Sequence, residues 1–295
     1  MACRQAALEA NLSTVLDQYA VVGHPVAHSR SPEIHASFAQ ATGQNLHYGR
    51  IDPGPEGLSA AVQAFRQQGG RGLNITLPFK EQALTLANQL SARARLAGAA
   101  NTLCFHDHQI EADNTDGAGL VQDLSQNLNW PLAGASVLIL GAGGAARGVV
   151  APLLEAGVAQ LVIANRNPQR AKELLTHLHH AGLPPSQGQK LAACALTEIP
   201  QRPYDLIINA TSGGHGGALP TIAPQLLAAT PRVYDLSYGA AAQPFLEFAR
   251  AMGVRQCADG LGMLIEQAAE SFRLWRGVRP DTAPLLSRMR SSQQG

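Results

Sequence analysis

The segment Val137-Leu-Ile-Leu-Gly141-Ala142-Gly143-Gly144-Ala145-Ala146 constrains the fold of this chain more than any other. A continuous apolar run, Ser136–Leu140, enters a glycine-rich turn and leaves it as a helix expected from about Ala145 to Ala156. Gly141 permits the tight turn, and Gly143 lets the backbone approach a pyrophosphate. Ala146 supplies the small residue that close helix–strand packing needs. Further apolar strands at Leu161–Ala164, Leu191–Leu196, Asp205–Asn209 and Val233–Leu236 alternate with helical stretches, one of them starting near Pro168. Strands buried on both faces and separated by helices predict a parallel, doubly wound sheet of the Rossmann type.

The first third reads differently. Strands are expected at Tyr19–Gly23, Leu46–Ile51, Gly72–Leu77, Thr102–Phe105 and Gln109–Ala112. A helix over Pro32–Ala41 has Ser31 as its expected cap, Pro32 at its first position and Gly43 beyond its end. A last helix, Leu261–Arg276, stops at Gly277, and it should return to pack on the N-terminal part. At 295 residues the length favours two domains. The fold class is therefore α/β: residues 1–116 form a substrate-binding domain, 117–258 a Rossmann-type nucleotide domain and 259–295 a returning helical segment. The cleft between the domains is where the chemistry belongs. Residues 1–18 read as a loosely docked extension, although Leu8, Leu12, Val15 and Leu16 fall at helical spacing. Gly182–Gln189, with two prolines and two glycines, reads as a surface loop.

A net charge of +1 gives no electrostatic case for nucleic acid or an anionic membrane. No apolar run reaches membrane-spanning length and no signal peptide is legible. Four cysteines far apart, in no zinc or CxxC spacing, read as free thiols of a reducing compartment, so a cytoplasmic location is expected. No metal site is expected. His106 and His108 would share one side of a strand but lack a Cys or acidic partner at ligand spacing, and His177, His179 and His180 read as solvated. Oligomeric state is not legible; a homodimer is the assembly to test.

The glycine turn alone also suits S-adenosylmethionine sites. The end of the second strand decides between nucleotides. NAD sites carry an acidic residue there for the ribose 2′-hydroxyl. This chain has Asn165-Arg166-Asn167, with Arg170 one helical turn beyond. Arginine cannot accept from that hydroxyl but pairs with a 2′-phosphate. At about 1.5–3 kcal/mol per charge-assisted bond, a preference for NADP of tenfold or more is expected.

In Leu73-Asn74-Ile75-Thr76-Leu77-Pro78-Phe79-Lys80, alternation puts Asn74 and Thr76 on one face and Leu73, Ile75 and Leu77 on the other. Two neutral polar groups followed by a lysine suit a polyhydroxylated ligand. Lys80 also opens a helix-like stretch, whose macrodipole would disfavour a cation. Asp113-Asn114-Thr115-Asp116-Gly117 is a second polar cluster. Asp113 or Thr115 could cap the following helix, while Asp116 can face the cleft and form with Lys80 a pair that passes a proton to a carbonyl oxygen. Ser29 and Ser31 flank Arg30 ahead of a helix, a natural carboxylate site.

These pieces, in order, resemble the shikimate dehydrogenase family. They are Gly23-His-Pro-Val-Ala-His-Ser-Arg-Ser-Pro32, Asn74–Lys80, Gly98-Ala-Ala-Asn101-Thr102, Asp113–Gly117, Gly141–Ala145, Asn165-Arg166, Asn209-Ala-Thr-Ser212 and Ala258-Asp-Gly-Leu-Gly-Met-Leu-Ile-Glu-Gln267. The resemblance runs from about Tyr19 to Pro280. It implies a two-domain fold, NADP as cofactor and reversible reduction of 3-dehydroshikimate to shikimate on the way to chorismate and the aromatic amino acids. It implies Lys80 and Asp116 as the catalytic pair, with Lys80 the general acid in reduction. Ser29, Ser31 and Tyr238 match positions near the substrate carboxylate. Asn74, Thr76, Asn101, Asp116 and Gln267 match those that bind ring hydroxyls or the reacting oxygen. Cofactor positions carried over are Gly141 to Ala145, Asn165, Arg166, Asn167, Arg170, Thr211, Leu236, Gly260 and Met263. Asn167 stands where the family often has Thr, and Gly213 where it has Ser or Pro.

Three rivals remain. A quinate/shikimate dehydrogenase would tend to carry an acidic residue near Arg166 and a bulkier group near the second serine, and neither is present. A non-catalytic NADPH-binding regulator need not keep both Lys80 and Asp116. A methyltransferase would need an acceptor where Arg166 stands.

Overall fold

Alternation along Ser136–Leu140 has a direct structural outcome. Val137 and Ile139 enter one apolar cluster and Leu138 and Leu140 another, so the strand is covered on both faces. In the computed structural model, which describes residues 16–211, 219, 220 and 222–292, the chain builds two six-stranded sheets. The expected N-terminal helix, apart from exposed Leu16, lies outside the described residues, as do Ser212 and Gly213.

The first sheet contains Asp17–Val22 (β1), Leu46–Ile51 (β2), Gly70–Ile75 (β3), Gln89–Leu90 (β4), Thr102–His106 (β5) and Gln109–Asp113 (β6), in the order β2-β1-β3-β5-β6-β4. β1 pairs in parallel with β2 and β3, whereas β5 runs antiparallel to both β3 and β6. The second contains Ser136–Leu140 (β7), Gln160–Asn165 (β8), Leu191–Ala195 (β9), Leu206–Asn209 (β10), Arg232–Asp235 (β11) and Gln256–Ala258 (β12). Its order is β12-β11-β10-β7-β8-β9, parallel throughout. The order reverses between β7 and β10, and this switch point opens a crevice beyond the carboxyl ends of the strands.

Six helices position the site: Ser31–Thr42 (α1), Asp116–Gln122 (α2), Gly144–Glu155 (α3), Pro168–His180 (α4), Leu261–Arg276 (α5) and Ala283–Ser291 (α6). The C-terminal pair packs back on α1. Ile34 and Phe38 meet Leu261, Ile265, Phe272, Leu285 and Met289 in one buried cluster. Each such side chain contributes about 1.5–3 kcal/mol when fully buried. Close approaches without side chains join α2 to its neighbours. A β-carbon on Gly119 would stand 2.7 Å from Gln267 in α5, and one on Gly117 would stand 2.5 Å from the Gly148 carbonyl in α3. Among the described residues, no helix is long and apolar enough to cross a membrane.

Several local expectations are corrected. Ser31 is the first residue of α1, not its cap: its backbone amide donates to Ser29 Oγ at 3.3 Å, and Arg30 occupies the cap position without a side-chain bond. β3 ends at Ile75, so Leu77 leaves the strand's apolar face and is 48% exposed. No α-helix starts at Lys80; a short 3-10 turn spans Gln82–Leu86, which removes the macrodipole from that lysine. Neither Asp113 nor Thr115 caps α2 through its side chain; Asn114 Oδ1 accepts the Asp116 amide instead. His108 falls in a turn, leaving only His106 on the strand, and His177 is not simply solvated, since its ring bonds the Arg95 carbonyl at 2.9 Å. The Gly182–Gln189 stretch contains one helical turn, Pro185–Gly188.

Candidate active site

The turn after β3 and the start of α2 bring two side chains together. Lys80 Nζ donates to Asp116 Oδ2 at 2.5 Å, with both side chains largely shielded from solvent. The other carboxylate oxygen accepts Asn101 Nδ2 at 2.9 Å, and the same nitrogen lies 3.0 Å from Gln267 Oε1. Asn101 Oδ1 accepts the Thr115 amide, which fixes the amide's orientation. Asn74 Nδ2 continues the network to the Asn101 carbonyl, Thr102 Oγ1 and Ser271 Oγ. Tyr48 donates to Asn74 Oδ1 at 2.7 Å, and burial pushes its hydroxyl well above its ordinary pKa. Five of the expected substrate residues, Asn74, Lys80, Asn101, Asp116 and Gln267, thus share one hydrogen-bonded surface.

The remaining four surround it. Thr76 is half-buried, its methyl against Gly23, where a β-carbon would stand only 2.3 Å away. The Ser29 and Ser31 hydroxyls are 3.2 Å apart. Tyr238, which follows β11, reaches the backbone of Arg30 between them. An ion-pair cluster backs the site: Arg93 bridges Asp113 and Glu270 at 2.7 and 2.8 Å. Arg273, then Arg93, holds the Glu270 carboxyl down at about 2 against the opposing effect of its burial.

The glycine turn after β7 meets this surface directly. A β-carbon on Gly144 would lie 3.2 Å from Lys80 Cβ, so the lysine stem rests on the glycine turn. Gly148 approaches Asn114 and Asp116 as closely. Gly141 has φ +108° and stands against Ala210, while Gly143 faces open space where a phosphate can approach. Ala142 and Ala145 complete the turn and first helical residues. At the end of β8, Asn165 Nδ2 bonds the Asn167 carbonyl and Asn167 Oδ1 caps α4 through the Gln169 amide. Arg166 and Arg170 are exposed, and among the described residues neither has a carboxylate partner. Thr211 and Leu236 follow β10 and β11. A β-carbon on Gly260 would stand 2.3 Å from the Leu236 carbonyl, and the Met263 amide bonds Tyr234 Oη at 3.3 Å. A turn open to phosphate and two exposed guanidinium groups that lack a carboxylate partner among the described residues fit a phosphorylated dinucleotide.

Three family models match consecutive parts of the chain: shikimate dehydrogenase substrate binding domain over 21–103, shikimate / quinate 5-dehydrogenase over 123–216 and shikimate 5'-dehydrogenase C-terminal domain over 260–290. A shikimate dehydrogenase (NADP(+)) from Aromatoleum aromaticum is 49% identical over 281 residues, 95% of this chain and 99% of that protein. This chain belongs to the shikimate dehydrogenase family. Another family member, from Nitrosospira multiformis, is 50% identical over 94% of this chain and 98% of its own. Among solved structures, the shikimate 5-dehydrogenase of Thermus thermophilus in complex with NADP(H) and shikimate superposes with a TM-score of 0.78. It is 33% identical, covering 94% of this chain and 99% of that one. An Ael1 enzyme from Pseudomonas putida gives 0.83 at 45% identity, with coverage of 92% and 97%.

Sequence reasoning missed Tyr48, Thr102 and Ser271. Thr102 stood in a quoted motif without a role. Ser271 follows Gln267 by one helical turn on α5, a polar pair on an otherwise apolar face, and that spacing is the signal that was available.

Proposed function

We propose that this chain is an NADP-dependent shikimate dehydrogenase that reversibly reduces 3-dehydroshikimate to shikimate. The observation that carries the reading is the Lys80–Asp116 pair resting against the glycine turn, a proton donor beside a nucleotide site. The reduced nicotinamide, when bound, supplies the hydride that reaches the C3 carbonyl carbon. Lys80 Nζ gives its proton to the carbonyl oxygen as that carbon is reduced, and Asp116 Oδ2 holds the amine in place. Asn101 holds Asp116, Gln267 in turn accepts from Asn101, and both bind the ring hydroxyls with Asn74 and Thr76. Ser29, Ser31 and Tyr238 hold the substrate carboxylate. Gly141 to Ala145 cradle the pyrophosphate at the N-terminus of α3. Arg166 and Arg170 clamp the 2′-phosphate, and Asn165 and Asn167 shape their turn. Thr211, Leu236, Gly260 and Met263 line the nicotinamide side.

The same reading divides the chain into substrate-binding residues 1–116, nucleotide-binding residues 117–258 and a returning segment 259–295. It takes the enzyme to be cytoplasmic, with a homodimer as the assembly to test. Shikimate-dependent reduction of NADP⁺ by the purified chain tests the function. Turnover of quinate at a comparable rate, or equal use of NAD⁺, would favour the broader quinate/shikimate activity that the name of the model matching residues 123–216 includes.

A further inference from the structure

β10 and β11 end side by side with Asn209 opposite Asp235. Asp235 is almost fully buried. Its Oδ2 accepts Asn209 Nδ2 at 2.7 Å and its Oδ1 accepts the Ser237 amide at 2.8 Å. Asn209 Oδ1, turned the other way, accepts both the Thr211 amide at 3.2 Å and the Thr211 hydroxyl at 2.7 Å. The loop carrying these bonds presses on the glycine turn, since a β-carbon on Gly141 would stand 2.9 Å from the Ala210 carbonyl.

We infer that Asp235 is a positioning residue for the cofactor: one carboxylate oxygen fixes the Asn209 amide, and through it the Thr211 hydroxyl, at the end of β10, while the other fixes the Leu236–Ser237 turn at the end of the neighbouring β11, so that both line the same side of the nucleotide crevice. This rests on the proposed reading that Thr211 and Leu236 contact the nucleotide. A buried carboxylate without a cation is costly. Burial pushes Asp235 up to about 6, and Asp259 adds a like charge. An asparagine would fill the space without that cost. What it cannot do is accept on both oxygens at once, and only an acceptor-only group forces the Asn209 NH₂ inward and its oxygen outward. With its single proton committed to Asn209, the Thr211 hydroxyl turns lone pairs toward the crevice. It therefore takes a hydroxyl or amide N–H of the nucleotide, not a phosphate oxygen.

The test is fluorescence titration of NADPH with the full chain, its Asp235→Asn variant and the swapped double variant Asp235→Asn/Asn209→Asp, together with shikimate turnover. The swap exchanges donor and acceptor across one bond and preserves all the others. Asp235→Asn should weaken NADPH about tenfold and leave the shikimate KM within about twofold, and the swap should restore NADPH affinity to within about threefold of the unmodified chain. Unchanged affinity in the single variant overturns the inference, as does a double variant that stays weak or does not fold. Should the single variant fail to fold, the folded double variant alone decides, by its affinity. NADPH binding that shifts as stated without any shikimate turnover would sink the proposed activity and leave this inference standing. No NADPH binding by the unmodified chain sinks both.

Discussion

Lys80 Nζ and Asp116 Oδ2 lie 2.5 Å apart although 36 residues separate them in the chain. The amine is fastened at its tip by the carboxylate and along its stem by Gly144, so its position depends on both sheets. A group so placed can hand over a proton without first being reoriented.

Replacing Lys80 by Ala should lower kcat for shikimate oxidation by about 10²–10⁴-fold, the usual worth of a positioned acid–base group. KM should change far less, because Asn74, Asn101 and Gln267 keep their mutual bonds. Steady-state kinetics in both directions checks this. Near-normal turnover would remove Lys80 from the chemistry.

Arg166→Ala should weaken NADPH tenfold or more and leave NADH nearly unaffected, since only the former has a phosphate for the guanidinium to meet. The ratio of kcat/KM for the two nucleotides is the readout. Equal losses for both would mean that Arg166 does not meet the 2′-phosphate.

Much of this was legible in the sequence because its causes are local. The glycine turn, the two-face burial of β7 and the arginine after β8 each sit within a dozen residues. Lys80 and Asp116 were legible as a pair from their chemistry. The cap of α1 differs from the expectation because the helix begins at Ser31 itself, whose own amide goes to Ser29 Oγ, and residue types alone do not say whether the first helical residue is Ser31 or Pro32. Leu77 was misread because alternation carries no information on where a strand stops. Tyr48, and the partner that Ser271 finds, were out of reach for a different reason: the Tyr48–Asn74 bond joins residues 26 apart and the Asn74–Ser271 bond residues 197 apart, and only the assembled first sheet with α5 packed on it creates them.

His35 gives a pH-dependent stability. Its ring is wholly buried and stacked flat on Tyr48 at 4.1 Å; among the described residues neither nitrogen makes a well-formed hydrogen bond, and the nearby Asn74 side chain opposes the effect of burial only in part. Burial pushes its pKa down to about 3 from 6.5. Between those values the unfolded chain binds a proton that the folded chain refuses. The stabilisation is therefore complete above about pH 6.5 and is lost as pH falls toward 3, at up to about 1.4 kcal/mol per unit. His35→Phe keeps the stack with Tyr48 and its packing beside Phe38 and Phe272. Urea unfolding between pH 4 and 7 should show a shallower decline for this variant, by close to one proton. Parallel curves would mean that His35 is charged in the folded state.

Gly262, in the first turn of α5, tests how rigidly that helix is seated. A β-carbon there would stand 1.9 Å from Asp123 Oδ1, closer than atoms can approach. Asp123 has no room to retreat: it is fully buried, accepts Tyr234 Oη at 2.7 Å and accepts Asn127 Nδ2 at 3.0 Å. The same Tyr234 oxygen holds the Met263 amide, so displacing Asp123 loosens the turn that carries Gly260 and Met263. Alanine's better helix propensity, about 1 kcal/mol over glycine, does not offset a clash with a seated carboxylate. Gly262→Ala should cost about 2–4 kcal/mol in denaturant unfolding. Gly188→Ala, with nothing within 4 Å of the added carbon, should stay within about 0.5 kcal/mol. If Gly262→Ala proves as mild as Gly188→Ala, Asp123 can move, and the first turn of α5 is held by its apolar contacts with α1 and not by the Asp123–Tyr234 bond.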